Sequence, residues 1–139
     1  MKLSRPLKII IADDDDDDRE LLKFLFNQNE KFELVGCFDS GIQTIKEIMI
    51  ERNIPDILLI DMYMPLLTGT EVVKKIIESG VADEMYKFVI SAQINSTEQN
   101  RYSENLTVKF LKKPTSLAEI NDLPGIILDC LNVRNNMKV

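Results

Sequence analysis

A run of four apolar residues that ends in an aspartate constrains the fold of this chain more than any other stretch. Residues 57–60 show no alternation of apolar and polar side chains, which is typical of a strand buried on both faces in a parallel sheet. The run leads into Asp61 and then into a loop that contains Pro65 and Gly69. Ligands of open α/β sheets bind at the carboxyl ends of the strands. Asp61 is therefore either a ligand-binding residue or an ordinary strand-ending aspartate.

Four further apolar runs predict strands that alternate with amphipathic helices along the chain. Thr68 and Glu71 form a capping-box pattern ahead of the third helix. The last helix is predicted to begin after Ser116 and to restart at Pro124, because proline is favoured at the first helical position. The alternation predicts an α/β fold, a (βα)5 doubly wound five-stranded parallel sheet with helices on both faces. The predicted strands are residues 7–12, 32–37, 57–60, 88–90 and 108–112.

The composition is that of one globular domain. The chain has 139 residues, enough to bury a core, and its net charge of −6 argues against a nucleic-acid surface. We find no signal peptide and no run of transmembrane length, so we expect a soluble, cytoplasmic protein that binds no membrane. Cys37 and Cys130 lack metal-site spacing and are interpreted as reduced thiols, with a disulfide as the minority alternative.

The chain contains no histidine. This excludes Ser-His and Cys-His nucleophile pairs, histidine-ligated metals and a phosphohistidine of the protein's own. The remaining groups for chemistry are carboxylates, lysines, hydroxyls and a hard metal ion.

Polar residues follow four of the five predicted strands, and the topology should bring them to one edge of the sheet. They are Asp13 and Asp14, then Asp61, Ser91 and Lys113. Carboxylates a few ångström apart repel one another by roughly a few kcal/mol per pair, so such a cluster favours a cation. An all-oxygen site suits Mg²⁺ or Mn²⁺, with Ca²⁺ as an alternative. The lysine and the hydroxyl are suited to contact a phosphoryl group placed on the aspartate that ends the third strand.

The first acidic pair belongs to a run of six aspartates, residues 13–18, for which simpler interpretations exist. An EF-hand calcium loop is excluded, because counting from Asp13 places Asp18 where glycine is required and Phe24 where glutamate is required. A disordered acidic tail is excluded because strand and helix patterns adjoin the run on both sides. We interpret the middle of the run as solvated residues that cap the following helix: Asp15, Asp16 and Asp17.

Taken together, these motifs resemble those of the response-regulator receiver family, the phosphoacceptor domains of two-component signalling. The motifs are A-D-D at 12–14, D-M-Y-M-P-L-L-T-G at 61–69, S-A at 91–92 and K-P at 113–114. The resemblance covers about residues 7–133. It implies a flavodoxin-like strand order of 2-1-3-4-5 and a single receiver domain over residues 1–139.

The resemblance also implies a role for each residue of the site. Asp61 would be the phosphoacceptor, and Asp13 and Asp14 the acidic pair that helps to hold Mg²⁺. Asp14, Asp61 and the backbone carbonyl of Tyr63 would be direct ligands. The remaining implied roles are a switch hydroxyl at Ser91, a phosphoryl contact at Lys113 and an aromatic switch at Phe110.

Tyr63 departs from the family pattern, which often has a small or polar residue at this place. We predict that its ring acts as a gate that crowds the water needed for hydrolysis of the aspartyl phosphate, with Gln93 on the other side. A long-lived phosphorylated state would follow.

The implied phosphodonor is a histidine kinase or a histidine phosphotransfer protein, and the implied output is docking to a downstream protein. We expect a monomer or weak dimer that binds no nucleic acid and is not an enzyme. Two alternatives remain open. One is a receiver-like adaptor that works without phosphorylation, and the other is a phosphatase with an aspartate nucleophile, which would need a second acid where Tyr63 stands.

Overall fold

Five parallel strands form the centre of the molecule. The computed structural model describes residues 5–94 and 96–137. Its strands are β1 (Leu7–Ala12), β2 (Phe32–Phe38), β3 (Ile57–Asp61), β4 (Tyr86–Ser91) and β5 (Val108–Lys112). They pair in the order β2-β1-β3-β4-β5, and every pairing is parallel. The predicted doubly wound sheet and its 2-1-3-4-5 order are confirmed. The chain reverses its direction of travel across the sheet between β1 and β3, where ligands of such sheets bind.

Helices follow each strand and cover both faces of the sheet. They are α1 (Asp16–Asn27), α2 (Gly41–Ile45), α3 (Gly69–Ser79), α4 (Ser96–Arg101) and α5 (Leu117–Met137), and α2 continues directly as a π-helical segment, Lys46–Ile50. The capping box predicted ahead of α3 is confirmed. Thr68 Oγ1 accepts from the Glu71 N–H at 3.2 Å, and Glu71 Oε1 accepts from the Thr68 N–H at 2.8 Å. This double cap sets the start of α3 at Gly69, at the end of the loop that follows Asp61.

The helical restart predicted at Pro124 is wrong. Helix α5 runs continuously through this proline, and the Ser116 hydroxyl accepts from the Glu119 N–H at its start. A proline inside a helix removes one backbone hydrogen bond. The helix continues because its apolar stripe is buried against the sheet at Leu123, Ile127 and Leu131, and such tertiary packing supplies most of the stability of helices in proteins.

The core consists of two apolar layers, one on each face of the sheet. Leu58 and Ile60 belong to the layer that includes α3, whereas Ile57 and Leu59 belong to the layer that includes α1 and α5. All four of these β3 side chains are fully buried, which confirms the central, doubly covered strand predicted from their unbroken apolar run. None of the helices in the described residues is long and apolar enough to cross a membrane.

Candidate functional site

Three carboxylates meet at the carboxyl edge of β1 and β3. Asp13 follows β1 and is fully buried, Asp61 is the last residue of β3 and is 6% exposed, and Asp14 is exposed. One carboxylate oxygen from each lies within 4.8 Å of the others. The structure thus brings together the acidic residues that the sequence placed at this edge.

The loop after β3 folds back closely onto the strand end. The Gly69 N–H donates to the Met62 carbonyl at 2.8 Å, and a Cβ at position 69 would lie 2.5 Å from the Asp61 carbonyl oxygen. Only glycine fits this approach. Within this loop, Leu66 has a positive φ of 71°. Its two neighbours are joined by a hydrogen bond in which the Leu67 N–H donates to the Pro65 carbonyl at 2.8 Å. The Asp61 carboxylate is therefore held beside a tightly folded loop.

Lys113 reaches the carboxylates from the end of β5. Its Nζ lies 3.1 Å from Asp13 Oδ2 and 3.5 Å from Asp61 Oδ1. The Lys113 N–H donates to the Ser91 carbonyl at 2.7 Å, which anchors the segment after β5 to the end of β4. The predicted convergence of strand ends is present for the lysine and both buried aspartates.

A third carboxylate contacts this lysine, and sequence reasoning missed it. Asp18 Oδ2 lies 2.9 Å from Lys113 Nζ, a shorter distance than either of the other two. Asp18 lies in the first turn of α1. Asp14 precedes the N-cap of α1, so no helical spacing links the two aspartates, and the sequence carries no signal for the contact of Asp18 with Lys113.

The start of α1 fixes the backbone around Asp13. Asp15 is the N-cap of α1 and its side chain accepts from the Asp18 N–H at 2.9 Å, which confirms its predicted capping role. Asp16 is exposed, as predicted for a solvated residue of the run. The Arg19 Nη1 group donates to the Asp13 carbonyl at 2.9 Å, a contact that sequence reasoning also missed.

The charges of the cluster shift one another's protonation. Burial raises the pKa of Asp61 to about 6, and the charge of Asp13 adds to this effect, while Lys113 opposes it. Burial also raises the pKa of Asp13, although the Asp15 N–H and Lys113 offset part of the shift. Burial alone would lower the pKa of Lys113, but its bonds to Asp18 and Asp13 outweigh burial and raise it. At neutral pH the site thus holds an ammonium and an excess of negative charge.

The residues present fit a hard divalent cation. Carboxylate oxygens on three residues, Asp13, Asp14 and Asp61, form an oxygen-only donor set within a few ångström. A cation between them would offset both the burial of the Asp61 charge and its repulsion by Asp13, which together raise the pKa of Asp61. The backbone carbonyl of Tyr63 as a further ligand stays a prediction.

The two predicted switch residues lie near this edge with partners of their own. Ser91 is buried, and its hydroxyl donates to the Gln93 carbonyl at 2.6 Å. Phe110 on β5 is partly buried and packs against Tyr102, with ring centroids 6.1 Å apart. The Tyr102 hydroxyl reaches the Thr70 carbonyl in α3 at 3.5 Å. The aromatic pair therefore links β5 to the segment after α4 and to α3.

Tyr63 and Gln93, the predicted gate residues, are both on the surface. The Tyr63 side chain is 58% exposed in the loop after β3, and Gln93 is exposed in the loop after β4. Their gating role stays a prediction.

Comparison with known proteins decides the family. A family model for the response regulator receiver domain matches residues 9–123. The chain belongs to this family. Receiver domains are phosphorylated on an aspartate by histidine kinases and bind Mg²⁺ at an acidic pocket, and they are generally not enzymes. The resemblance inferred from the motifs is confirmed.

The relatives include proteins of two different lengths. The uncharacterized transcriptional regulatory protein YhcZ of Bacillus subtilis is 36% identical over 72 residues, which cover 52% of this chain and 33% of that protein. The two-component response regulator ORR5 of Oryza sativa subsp. japonica is 28% identical over 120 residues, covering 86% of this chain and 87% of that protein. The match thus spans about a third of the first relative and most of the second.

A solved structure supports the fold. The signal receiver domain of the putative response regulator NarL from Mycobacterium tuberculosis aligns with a TM-score of 0.73 at 22% identity, over 91% of this chain and 96% of that chain. At this identity the likeness supports the fold alone.

Proposed function

We propose that this chain is a phosphoacceptor of two-component signalling in which Asp61 receives the phosphoryl group. The observation that carries the proposal is the arrangement around this carboxylate. It is nearly buried, it stands in a cluster of three carboxylates, and the Lys113 ammonium lies 3.5 Å away. We propose further that residues 1–139 act as one receiver unit, a monomer or weak dimer in the cytoplasm.

The reaction transfers a phosphoryl group from a phosphohistidine to the carboxylate. An oxygen of Asp61 attacks the phosphorus, a phosphorus–oxygen bond forms, and the phosphorus–nitrogen bond of the donor breaks with its electron pair left on the imidazole. Residues 1–139 contain no histidine, and the proposed donor is the phosphohistidine of a histidine kinase or a histidine phosphotransfer protein. Phosphoryl transfer depends mainly on positioning and charge neutralisation. Lys113 is placed to neutralise the phosphoryl oxygens.

Mg²⁺ is the proposed cofactor, with Mn²⁺ as a substitute. Asp13, Asp14 and Asp61 would hold it together with the Tyr63 carbonyl. When bound, the cation supplies positive charge to the carboxylates and to the incoming phosphoryl oxygens.

The proposed output is a changed docking surface for a downstream protein. The new phosphoryl oxygens would attract the Ser91 hydroxyl away from the Gln93 carbonyl that it contacts at 2.6 Å. The Phe110–Tyr102 pair packs against the core layer that includes Val89 of β4, and it would follow this movement. The surface formed by α4, β5 and α5 would then change. Tyr63 and Gln93 would slow the return by crowding the hydrolytic water.

Treatment with acetyl phosphate and Mg²⁺ tests the proposal. The wild-type chain should gain one acid-labile phosphate by intact-mass spectrometry, and Asp61→Asn should gain none while keeping the same circular dichroism spectrum. A labelled Asp61→Asn would place the acceptor elsewhere. A wild type that stays unlabelled would favour the adaptor alternative, and continuous release of inorganic phosphate the phosphatase alternative.

A further inference from the structure

Lys113 is shared unequally among the carboxylates that surround it. Its Nζ lies 2.9 Å from Asp18 and 3.1 Å from Asp13, within the usual range for N–H···O hydrogen bonds. The distance to Asp61 is 3.5 Å, beyond that range. The ammonium is therefore bonded on the α1 side of the site and stands back from the residue that it would serve during phosphorylation.

The position of Asp18 is not explained by helix capping alone. Its N–H is bonded by the Asp15 side chain, so the first turn of α1 is already capped. Any acid in this turn complements the helix dipole, and Asp16 and Asp17 also stand there. Among these three first-turn acids, only Asp18 forms an ion pair with Lys113 in the described residues.

We propose that Asp18 is a positioning residue that holds the Lys113 ammonium toward α1 and so competes with a phosphoryl group for it. The inference rests on the proposed function and extends it to the regulation of the same site. An ammonium has three N–H donors, and two are engaged by Asp18 and Asp13 at hydrogen-bonding distance. A phosphoryl group on Asp61 must draw the ammonium toward itself, against the pull of Asp18. Asp18 therefore lowers the affinity of the site for phosphoryl groups.

Beryllofluoride in the presence of Mg²⁺ measures this competition. Asp18→Asn should bind beryllofluoride about fivefold more tightly than wild type, as expected for the loss of a partly exposed ion pair. Asp17→Asn is the matched control, because it removes the same charge from the same helical turn and should change the affinity less than twofold. Asp18→Glu keeps the charge and should restore an affinity close to that of wild type. Asp18→Ser provides a second neutral variant.

A metal-free measurement tests the contact itself. Lys113 should react several-fold faster with an acetylating reagent in Asp18→Asn than in Asp17→Asn, as followed by peptide mass spectrometry without Mg²⁺. A helix-stabilising role of Asp18 would not produce this difference at matched circular dichroism.

The outcomes separate the inference from the proposed function. A wild type that binds no beryllofluoride overturns the proposed function. A wild type that binds it, with Asp18→Asn no tighter than Asp17→Asn, overturns the role of Asp18 alone. Weaker binding by Asp18→Asn would also overturn it, because Asp18 would then be preparing the lysine for the phosphoryl group. Equal acetylation of Lys113 in the two variants would show that Asp18 does not hold the ammonium.

Discussion

Each edge of the sheet carries a lysine that is at least partly buried, but the surroundings shift the pKa of the two lysines in opposite directions. At the carboxyl edge, Lys113 contacts three carboxylates, whose bonds and charges outweigh burial and raise its pKa. Near the amino-terminal edge, Lys87 at the start of β4 is 2% exposed, and its Nζ bonds the Thr107 hydroxyl at 3.1 Å. Burial lowers the pKa of Lys87, and the charge of Asp83 only partly opposes this. Burial is common to both lysines, so the neighbouring carboxylates decide the difference.

The comparison shows where the molecule holds unbalanced charge. The carboxyl edge has more negative than positive charge, so it is suited to bind a cation and then a phosphoryl group. Near the amino-terminal edge, the Lys87 ammonium donates to the neutral Thr107 hydroxyl. Burying a charge beside a neutral partner lowers the free energy of unfolding.

The charge of Asp61 should destabilise the metal-free protein at neutral pH. Its pKa of about 6 in the folded state exceeds the usual value of about 3.9 for an unfolded chain, so the folded state binds more protons between these values. Stability therefore falls as the pH rises from about 4 to about 6. Asp61→Asn should raise the free energy of unfolding by up to about 3 kcal/mol at pH 7 and by almost nothing at pH 4. Urea denaturation in EDTA at both pH values measures this, and an equal gain at both would refute the electrostatic explanation.

Metal binding should depend on where an aspartate lies in the acidic run. Asp14→Ala should weaken Mg²⁺ binding by about tenfold or more, because it removes a proposed ligand. Asp16→Ala removes the same charge from the same run, but Asp16 lies outside the cluster of Asp13, Asp14 and Asp61, so the effect should be small. Calorimetric titration of both variants gives the comparison. Equal losses would mean that the run acts as a diffuse negative field.

The two lysines should respond in opposite directions to the same substitution. Lys113→Met leaves the carboxylates uncompensated and should lower the free energy of unfolding by about 2 kcal/mol at pH 7. Lys87→Met replaces a buried ammonium with an apolar chain of similar length and should leave stability unchanged or raise it by about 1 kcal/mol. Thermal or urea denaturation without metal tests both. A large loss in Lys87→Met would indicate that its bond to Thr107 outweighs the cost of burying the charge.

The sequence predicted the carboxyl edge well because topology alone brings its residues together. Asp61 and Lys113 each directly follow an apolar run, and parallel strands must end at one edge. The position of Asp18 could not be derived in this way, because its contact with Lys113 depends on how α1 is rotated against the sheet.

Tertiary packing, which the sequence does not show directly, also explains the wrong prediction at Pro124. Local propensity favoured a break there, but the burial of the α5 stripe on the sheet outweighed the loss of one hydrogen bond.

The packing of Phe110 could not be derived from the sequence for a related reason. Phe110 was identified by its place in the motif, but its packing partner Tyr102 comes from an irregular segment after α4. Nothing in the local pattern around Tyr102 indicates this contact, because it joins two segments through tertiary packing.

The exposed ring at the carboxyl edge should set the lifetime of the phosphorylated state. Tyr63 is two residues beyond Asp61, and hydrolysis needs a water in line with the phosphorus–oxygen bond. Tyr63→Asn should shorten the half-life of the aspartyl phosphate several-fold at fixed Mg²⁺, since about 1.4 kcal/mol of crowding corresponds to a tenfold change in rate. Loss of label after removal of acetyl phosphate is followed by mass spectrometry. An unchanged or longer half-life would leave Tyr63 as a surface residue without a gating role.

The two loops that flank β3 offer the finest comparison, because each has a non-glycine residue with a positive φ. Arg52 has a φ of 59° before the strand, and Leu66 has a φ of 71° after it, with an 87% exposed side chain. A left-handed backbone costs an ordinary residue roughly 1–2 kcal/mol, and the greater freedom of glycine in the unfolded chain offsets part of the relief. Arg52→Gly and Leu66→Gly should therefore each raise the free energy of unfolding by about 0.5 kcal/mol. Denaturation of both variants, with Gly80→Ala as a control that introduces the same strain at a φ of 71°, measures the effect.

A loss of stability in Leu66→Gly alone would mean that the leucine side chain contributes to folding through contacts that its exposure does not suggest. It would also mean that the tight loop beside Asp61 depends on that side chain as well as on the close approach of Gly69.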